Sequence, residues 1–182
     1  MQVVRKWLHI LHQLLPLIPF TLLPLPMQLI LLVVGKTDSK HIEELMQHYA
    51  ARLKHYLPFE LKVIPDLKRG RLSEAQQCVE EGRELLRQVQ PGDRLWLFDE
   101  HGDQLTSRAF AQRIEQVMIS GERRLILAIG GPYGFSEEVY ARAQGLVGLS
   151  KMTFSHQMVR LFALEQLYRA QTILRGEPYH HD

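Results

Sequence analysis

From Met27 onward, apolar runs alternate with helical periods without a break. Leu29 to Val34 is a short, nearly continuous apolar run ending at Gly35, and it predicts a buried strand over Gln28 to Val34. Ile42, Leu45, Met46, Tyr49, Leu53 and Tyr56 then recur at helical spacing until Pro58 stops them. Phe59, Leu61 and Val63 alternate with Glu60 and Lys62, giving a second strand before Pro65. Ser73 with Gln76 three residues later forms a capping box and opens a helix predicted to run through about Val89. Pro91, Gly92 and Asp93 turn the chain into a third strand, Arg94 to Phe98, and Asp99 to Gly102 reads as another turn. Ser107 to Ile119 is a helix closed by Gly121, and Leu125 to Ile129 is a fourth strand. A short helix from about Glu137 to Ala143, a fifth strand near Leu146 to Leu149 and a long helix from His156 to Leu174 complete the pattern.

Strands separated by connecting helices predict an α/β fold with a mainly parallel sheet. Ligands of such sheets sit at the carboxyl ends of the strands, which directs attention to Gly35, Asp99, Gly130 and Ser150. The last helix carries Met158, Val159, Leu161, Phe162, Ala163, Leu164, Leu167, Tyr168 and Ala170, leaving little room for a polar face. A helix apolar nearly all round needs cover on two sides. The sheet supplies one, and a second subunit is the economical source of the other.

The 182 residues carry 22 Lys+Arg against 20 Asp+Glu, a formal charge of +2, with 46% hydrophobic residues and one Cys. A chain of this length buries roughly two-thirds of its extended surface, so its core needs no disulfide or metal staple. The near-neutral balance excludes a grip on nucleic acid by bulk charge, so any such contact must come from local basic clusters. Lone Cys78 fits a reducing compartment and, at mid-helix, reads as a small buried hydrophobe. Met1 to Pro26 differs from all that follows: it has no Asp, Glu or Gly, and Arg5 and Lys6 precede a Leu-rich run broken by Pro16, Pro19, Pro24 and Pro26. It resembles a signal sequence but lacks an A-x-A-like cleavage site. Trp7 to Gly35 has no charged residue and is long enough to span a bilayer, although prolines at this spacing break a spanning helix. Residues 1–26 are read as a dispensable extension, with an anchor or export signal as the alternative, and residues 27–182 as one domain.

Ile129-Gly130-Gly131-Pro132-Tyr133-Gly134 ends an apolar strand, and Ser136 follows as an N-cap. This is neither G-x-G-x-x-G nor a P-loop with its Lys. Glu137 and Glu138 in the next helical turn would repel a phosphate, so a cationic or mostly neutral ligand suits the segment better. An ordinary glycine turn is the alternative.

Three C-terminal segments sharpen the picture: Leu149-Ser150-Lys151-Met152-Thr153-Phe154-Ser155-His156-Gln157-Met158-Val159-Arg160, Glu165-Gln166-Leu167-Tyr168-Arg169-Ala170, and Arg175-Gly176-Glu177-Pro178-Tyr179-His180. Together with the Gly-Gly-Pro-x-Gly strand end, they closely resemble the RlmH family of SPOUT-class methyltransferases, over Met27 to Asp182. The resemblance implies a parallel-sheet α/β domain with a C-terminal trefoil knot, assembled as a homodimer in the cytoplasm. It also implies methyl transfer from S-adenosyl-L-methionine to N3 of pseudouridine 1915 in helix 69 of 23S rRNA, on the assembled 70S ribosome. The cofactor pocket carried over by position is Phe98, Gly130 and Leu149, Ser150, Lys151, Met152, Thr153 and Phe154, mostly through main-chain contacts. Phe98 stands where many relatives have Leu, and Ser155 where Pro often precedes the histidine; neither change removes a group the transfer needs.

Methylating N3 requires loss of its proton, and no covalent Cys adduct is called for. The polar candidates are His156, Arg160, Tyr179 and His180. Arg160 would stabilise negative charge on a uracil carbonyl, with a structural ion pair as its alternative, while His156 or His180 would position or remove the N3 proton. Capping or packing is the alternative for His156. His180-His181-Asp182 reads as a polar tail and not a metal site, because no further ligand pattern accompanies it. No metal and no membrane partner are expected. Lys68-Arg69-Gly70-Arg71 and Arg123-Arg124 are the clusters able to meet RNA phosphates. A noncatalytic ribosome-binding factor is the competing function, and a nucleotide-dependent oxidoreductase is disfavoured by the missing G-x-G-x-x-G.

Overall fold

In the computed structural model, which describes residues 26–65 and 72–181, strand β1 (Gln28–Val34) alternates its side chains between two buried layers. Leu29, Leu31 and Val33 enter one core and Ile30, Leu32 and Val34 the other, so the apolar run is continuous because both faces are covered. Each such side chain contributes about 1.5–3 kcal/mol on burial. The other strands are β2 (Phe59–Ile64), β3 (Arg94–Gln104), β4 (Arg124–Ile129) and β5 (Gly145–Gly148). They form one sheet of order β2-β1-β4-β3-β5, with every pairing parallel.

Helices α1 (Lys40–Leu53), α3 (Ser107–Ile119) and α5 (His156–Leu174) pack on one face, around Met46, Leu53, Phe110, Ile114, Leu164 and Leu167. Helices α2 (Glu74–Leu86) and α4 (Glu137–Arg142) cover the other, where Leu85 and Val139 meet Leu95, Leu97, Ile126 and Ala128. Side-chain oxygens of Ser39, Ser73, Thr106 and Ser155 accept from the first turns of α1, α2, α3 and α5. Each cap contributes about 1 kcal/mol. The Ser73 amide in turn donates to Gln76 Oε1 at 2.9 Å, completing the capping box.

The elements fall where the pattern placed them to within a few residues at their ends; α1, for example, stops at Leu53 although the apolar spacing runs on to Tyr56. Helix α2 ends at Leu86, and Arg87 to Val89 close it with a turn. The fifth strand starts one residue earlier, at Gly145. One difference bears on function: Asp99 to Gly102 is not a turn, because β3 continues to Gln104. Phe98 pairs with Val147, and after a register shift Asp103 pairs with Val147 again and Gln104 with Gly148. This register shift brings Gly102 against the main chain of β5, which only a residue without a side chain allows; a Cβ there would stand 2.5 Å from the Val147 nitrogen and 2.6 Å from that of Gly148.

Helix α5 also departs from expectation. It lies between α1 and α3 of its own chain, which supply much of the cover that its composition demands. Phe162 remains 37% exposed, its ring 5.2 Å from that of Phe154. Residues 1–25, the basic loop Lys68-Arg69-Gly70-Arg71 and Asp182 lie outside the described residues. Among the described residues no helix is long and apolar enough to cross a membrane.

Candidate active site

The carboxyl ends of β3, β4 and β5 and the segment leading into α5 enclose a cleft of about 620 Å³. Phe98, Gly130, Leu149, Ser150, Met152, Thr153 and Phe154 all line it, as does His156 at the start of α5. Lys151 is exposed and does not. The loop from Ser150 to Ser155 holds its form through local bonds: the Met152 amide donates to Ser150 Oγ at 3.0 Å, and Ser155 Oγ caps α5.

The glycine bend is shaped by close main-chain approach. Gly131 and Gly134 form an isolated bridge, with the Gly134 amide donating to the Gly131 carbonyl at 3.2 Å and Gly134 at φ +76°. A Cβ on Gly130 would lie 2.8 Å from the Gly134 carbonyl oxygen. On Gly131 it would lie 2.3 Å from Oε2 of Glu81, a buried carboxylate of α2 whose Oε1 accepts from Gln77 at 2.6 Å. One helix face therefore backs the bend and fixes its depth.

Asp99, Glu100, His101 and Tyr140 also line the cleft, and the sequence had not pointed to them as a group. Asp99 Oδ2 accepts from the Tyr140 hydroxyl at 2.5 Å, while Oδ1 accepts from the His101 amide at 2.9 Å and lies 3.0 Å from His101 Nδ1. Burial raises the Asp99 carboxyl, but these bonds outweigh it and hold the group below its ordinary range. Burial and the Asp99 bond push the Tyr140 phenol up, so it remains protonated. Among the described residues, Asp99 and Glu100 are the only lining side chains with a fixed formal charge, and both are acidic.

The remaining expected site residues do not join the cleft. Arg160 is fully buried, donating from Nη2 to the Val34 carbonyl at 2.5 Å and from Nη1 to Thr37 Oγ1 at 3.0 Å. It therefore grips the end of β1 and does not face the ligand space. Gln157 works beside it, with Oε1 accepting from the Asp38 amide at 3.2 Å and Nε2 donating to the Lys36 carbonyl at 3.3 Å. Tyr179 and His180 sit along α5: the Tyr179 hydroxyl donates to Glu165 Oε1 at 3.2 Å, and His180 Nδ1 lies 3.4 Å from Arg169 Nη1. At 1.5 Å per residue, Glu165 is roughly 14 Å along the helix from His156. Burial, then the bond to Tyr49, raise the Tyr179 phenol and keep it protonated.

A parallel α/β sheet whose glycine-edged cleft opens at the carboxyl ends of its strands defines a ligand-binding domain of the doubly covered class. Residues 27–180 match the family described as "Predicted SPOUT methyltransferase", and the chain belongs to that family. It is 56% identical over 152 residues to the ribosomal RNA large subunit methyltransferase H of Christiangramia forsetii, covering 83% of this chain and 97% of that protein. The protein of the same name from Parabacteroides distasonis is 52% identical over 157 residues, 86% of this chain and 100% of its own length. That of Cytophaga hutchinsonii is 52% identical over 155 residues, 85% of this chain and 100% of its own.

Proposed function

We propose that this chain methylates N3 of pseudouridine 1915 in helix 69 of 23S rRNA, using S-adenosylmethionine and acting on the assembled 70S ribosome. The observation that carries the reading is the lining of the cleft. Bare glycine main chain and apolar rings are edged by two carboxylates, with no Lys or Arg among the described residues that line the cleft, which suits an adenosyl ligand with a positive sulfur and disfavours a phosphate. Membership of the SPOUT family and the names of the relatives support methylation of ribosomal RNA.

Bound S-adenosylmethionine would supply an electrophilic methyl carbon. Phe98, Gly130, Leu149, Ser150, Met152, Thr153 and Phe154 would hold it, with Lys151 contributing main chain only. His156 lies in the same cleft and is the group that holds or removes the N3 proton. Arg160 acts as a positioning residue, fixing the start of α5 and hence His156 against the end of β1. Tyr179 and His180 are too far along α5 to serve the same atom within one chain, so their part requires the tail of a second subunit and a homodimer. A C-terminal trefoil knot belongs to this reading through membership of the SPOUT family. Arg123 and the segment Lys68-Arg69-Gly70-Arg71 would meet rRNA phosphates, Arg124 being held by Asp93 at 3.2 Å, and a folded ribosomal surface is a better substrate than a free hairpin. In this reading residues 1–26 are dispensable for methyl transfer and the protein works in the cytoplasm.

The test is methylation of ribosomes lacking the modification by a chain beginning at Met27, with nucleoside mass spectrometry as the readout. A new methylpseudouridine is expected. Donor binding without that product would favour a noncatalytic ribosome-binding factor, and no donor binding would remove the reading altogether.

A further inference from the structure

The two acidic groups of the cleft differ in how strongly they can act. Glu100 is exposed, and water screens it. The Asp99 side chain is only 8% exposed, held by the Tyr140 hydroxyl on one oxygen and by His101 on the other. Its bonds keep it ionised against the cost of burial, and protonated Tyr140 brings no compensating charge. A buried charge acts on a ligand charge several times more strongly than a solvated one, because less water lies between them.

Resting on the function proposed above, we propose that Asp99 is a specificity-determining residue that makes this cleft prefer the cationic methyl donor to the neutral-sulfur product. During transfer the methyl carbon bonds to N3, the C–S electron pair stays on sulfur, and the N3 proton passes to the base. Sulfur goes from positive to neutral while the cleft edge stays negative. The donor is thereby held and the product let go, with Tyr140 and His101 positioning the carboxylate.

Calorimetry with S-adenosylmethionine, S-adenosylhomocysteine and sinefungin, which carries an ammonium in place of the sulfonium, tests this directly. Asp99→Asn should weaken the two cationic ligands about tenfold and S-adenosylhomocysteine less than about twofold, while Asp99→Glu restores the discrimination. Equal weakening of all three would overturn the proposal, since Asp99 would then serve an atom common to them. Should Asp99→Asn not fold, the wild-type chain carries the test: it must bind sinefungin more tightly than S-adenosylhomocysteine, and the reverse order overturns the proposal. If the wild-type chain binds none of the three, the functional reading fails together with this one, whereas binding without charge preference sinks this inference alone.

Discussion

Arg160 on α5 donates to the carbonyl of Val34, the last residue of β1, across 2.5 Å of fully buried space. A second nitrogen reaches Thr37 in the loop beyond. Arg160→Ala leaves a cavity in the core and that carbonyl without its donor, so unfolding in urea should show a loss of about 3–5 kcal/mol. Arg160→Lys should recover only part of it, because one ammonium does not reproduce the planar fork. Where Arg160→Ala is still folded, its affinity for S-adenosylmethionine should fall less than about threefold, because the side chain does not line the cleft. A tenfold loss would mean that the guanidinium reaches the ligand after all.

The burial of Arg160 was legible, though it pointed away from the role first expected. Positions 163, 164 and 167 lie three, four and seven residues on, and Ala163, Leu164 and Leu167 are all fully buried. An arginine in that stripe is a core residue. The strands and the glycine bend were readable because each is a local pattern, an apolar run ended by a residue that cannot continue it. The extension of β3 was not, since Asp99-Glu100-His101-Gly102 has the composition of a turn, and the residues on either side of it, Phe98 and Asp103, both pair with Val147, more than 40 residues later. The Asp99–Tyr140 bond spans the same kind of distance and leaves no local trace.

Gly102 and Gly131 should respond differently to a methyl group. At Gly102 the atoms that a Cβ would meet, at 2.5–2.6 Å, are all main chain of Val147 and Gly148. They cannot retreat without parting β3 from β5, so Gly102→Ala should cost more than about 3 kcal/mol or yield no folded protein. At Gly131 the obstacle is the end of the Glu81 side chain. Gly131→Ala should therefore fold, with a loss of about 1–3 kcal/mol, while the displaced bend lowers donor affinity at least tenfold by calorimetry. Unchanged affinity would show that the bend is not part of the pocket.

Acid should weaken the fold partly through Asp99. Its carboxyl is held below the unfolded value in the native state, burial opposing and the Tyr140 and His101 bonds prevailing. The stability it adds is complete above the ordinary carboxylate range, near pH 4, and is lost as pH falls through the lower native value. Tyr140→Phe removes one of those bonds and moves the native value upward, so the stability attributable to Asp99 should be smaller at neutral pH and should fade at a higher pH. Denaturant unfolding of wild type, Tyr140→Phe and Asp99→Asn between pH 7 and 2.5 measures this. Parallel curves for wild type and Asp99→Asn would contradict it.

Phe162 offers a test of assembly from a side chain outside the donor cleft lining. It lines a second, smaller groove with Leu105, Phe110 and Phe154, and, unlike Phe154, does not itself line the cleft that holds Gly130 and His156. If a second subunit covers this groove, Phe162→Glu places a carboxylate in an apolar contact and the cost of burying it opposes association. The wild-type chain should then sediment as two chains and the variant as one. Donor affinity should change less than about threefold, since the cleft is built within one chain, while transfer to ribosomes should fall at least tenfold because no second tail supplies Tyr179 and His180. A wild-type chain that sediments alone at micromolar concentration, yet methylates, would remove the homodimer and with it any part for those two residues.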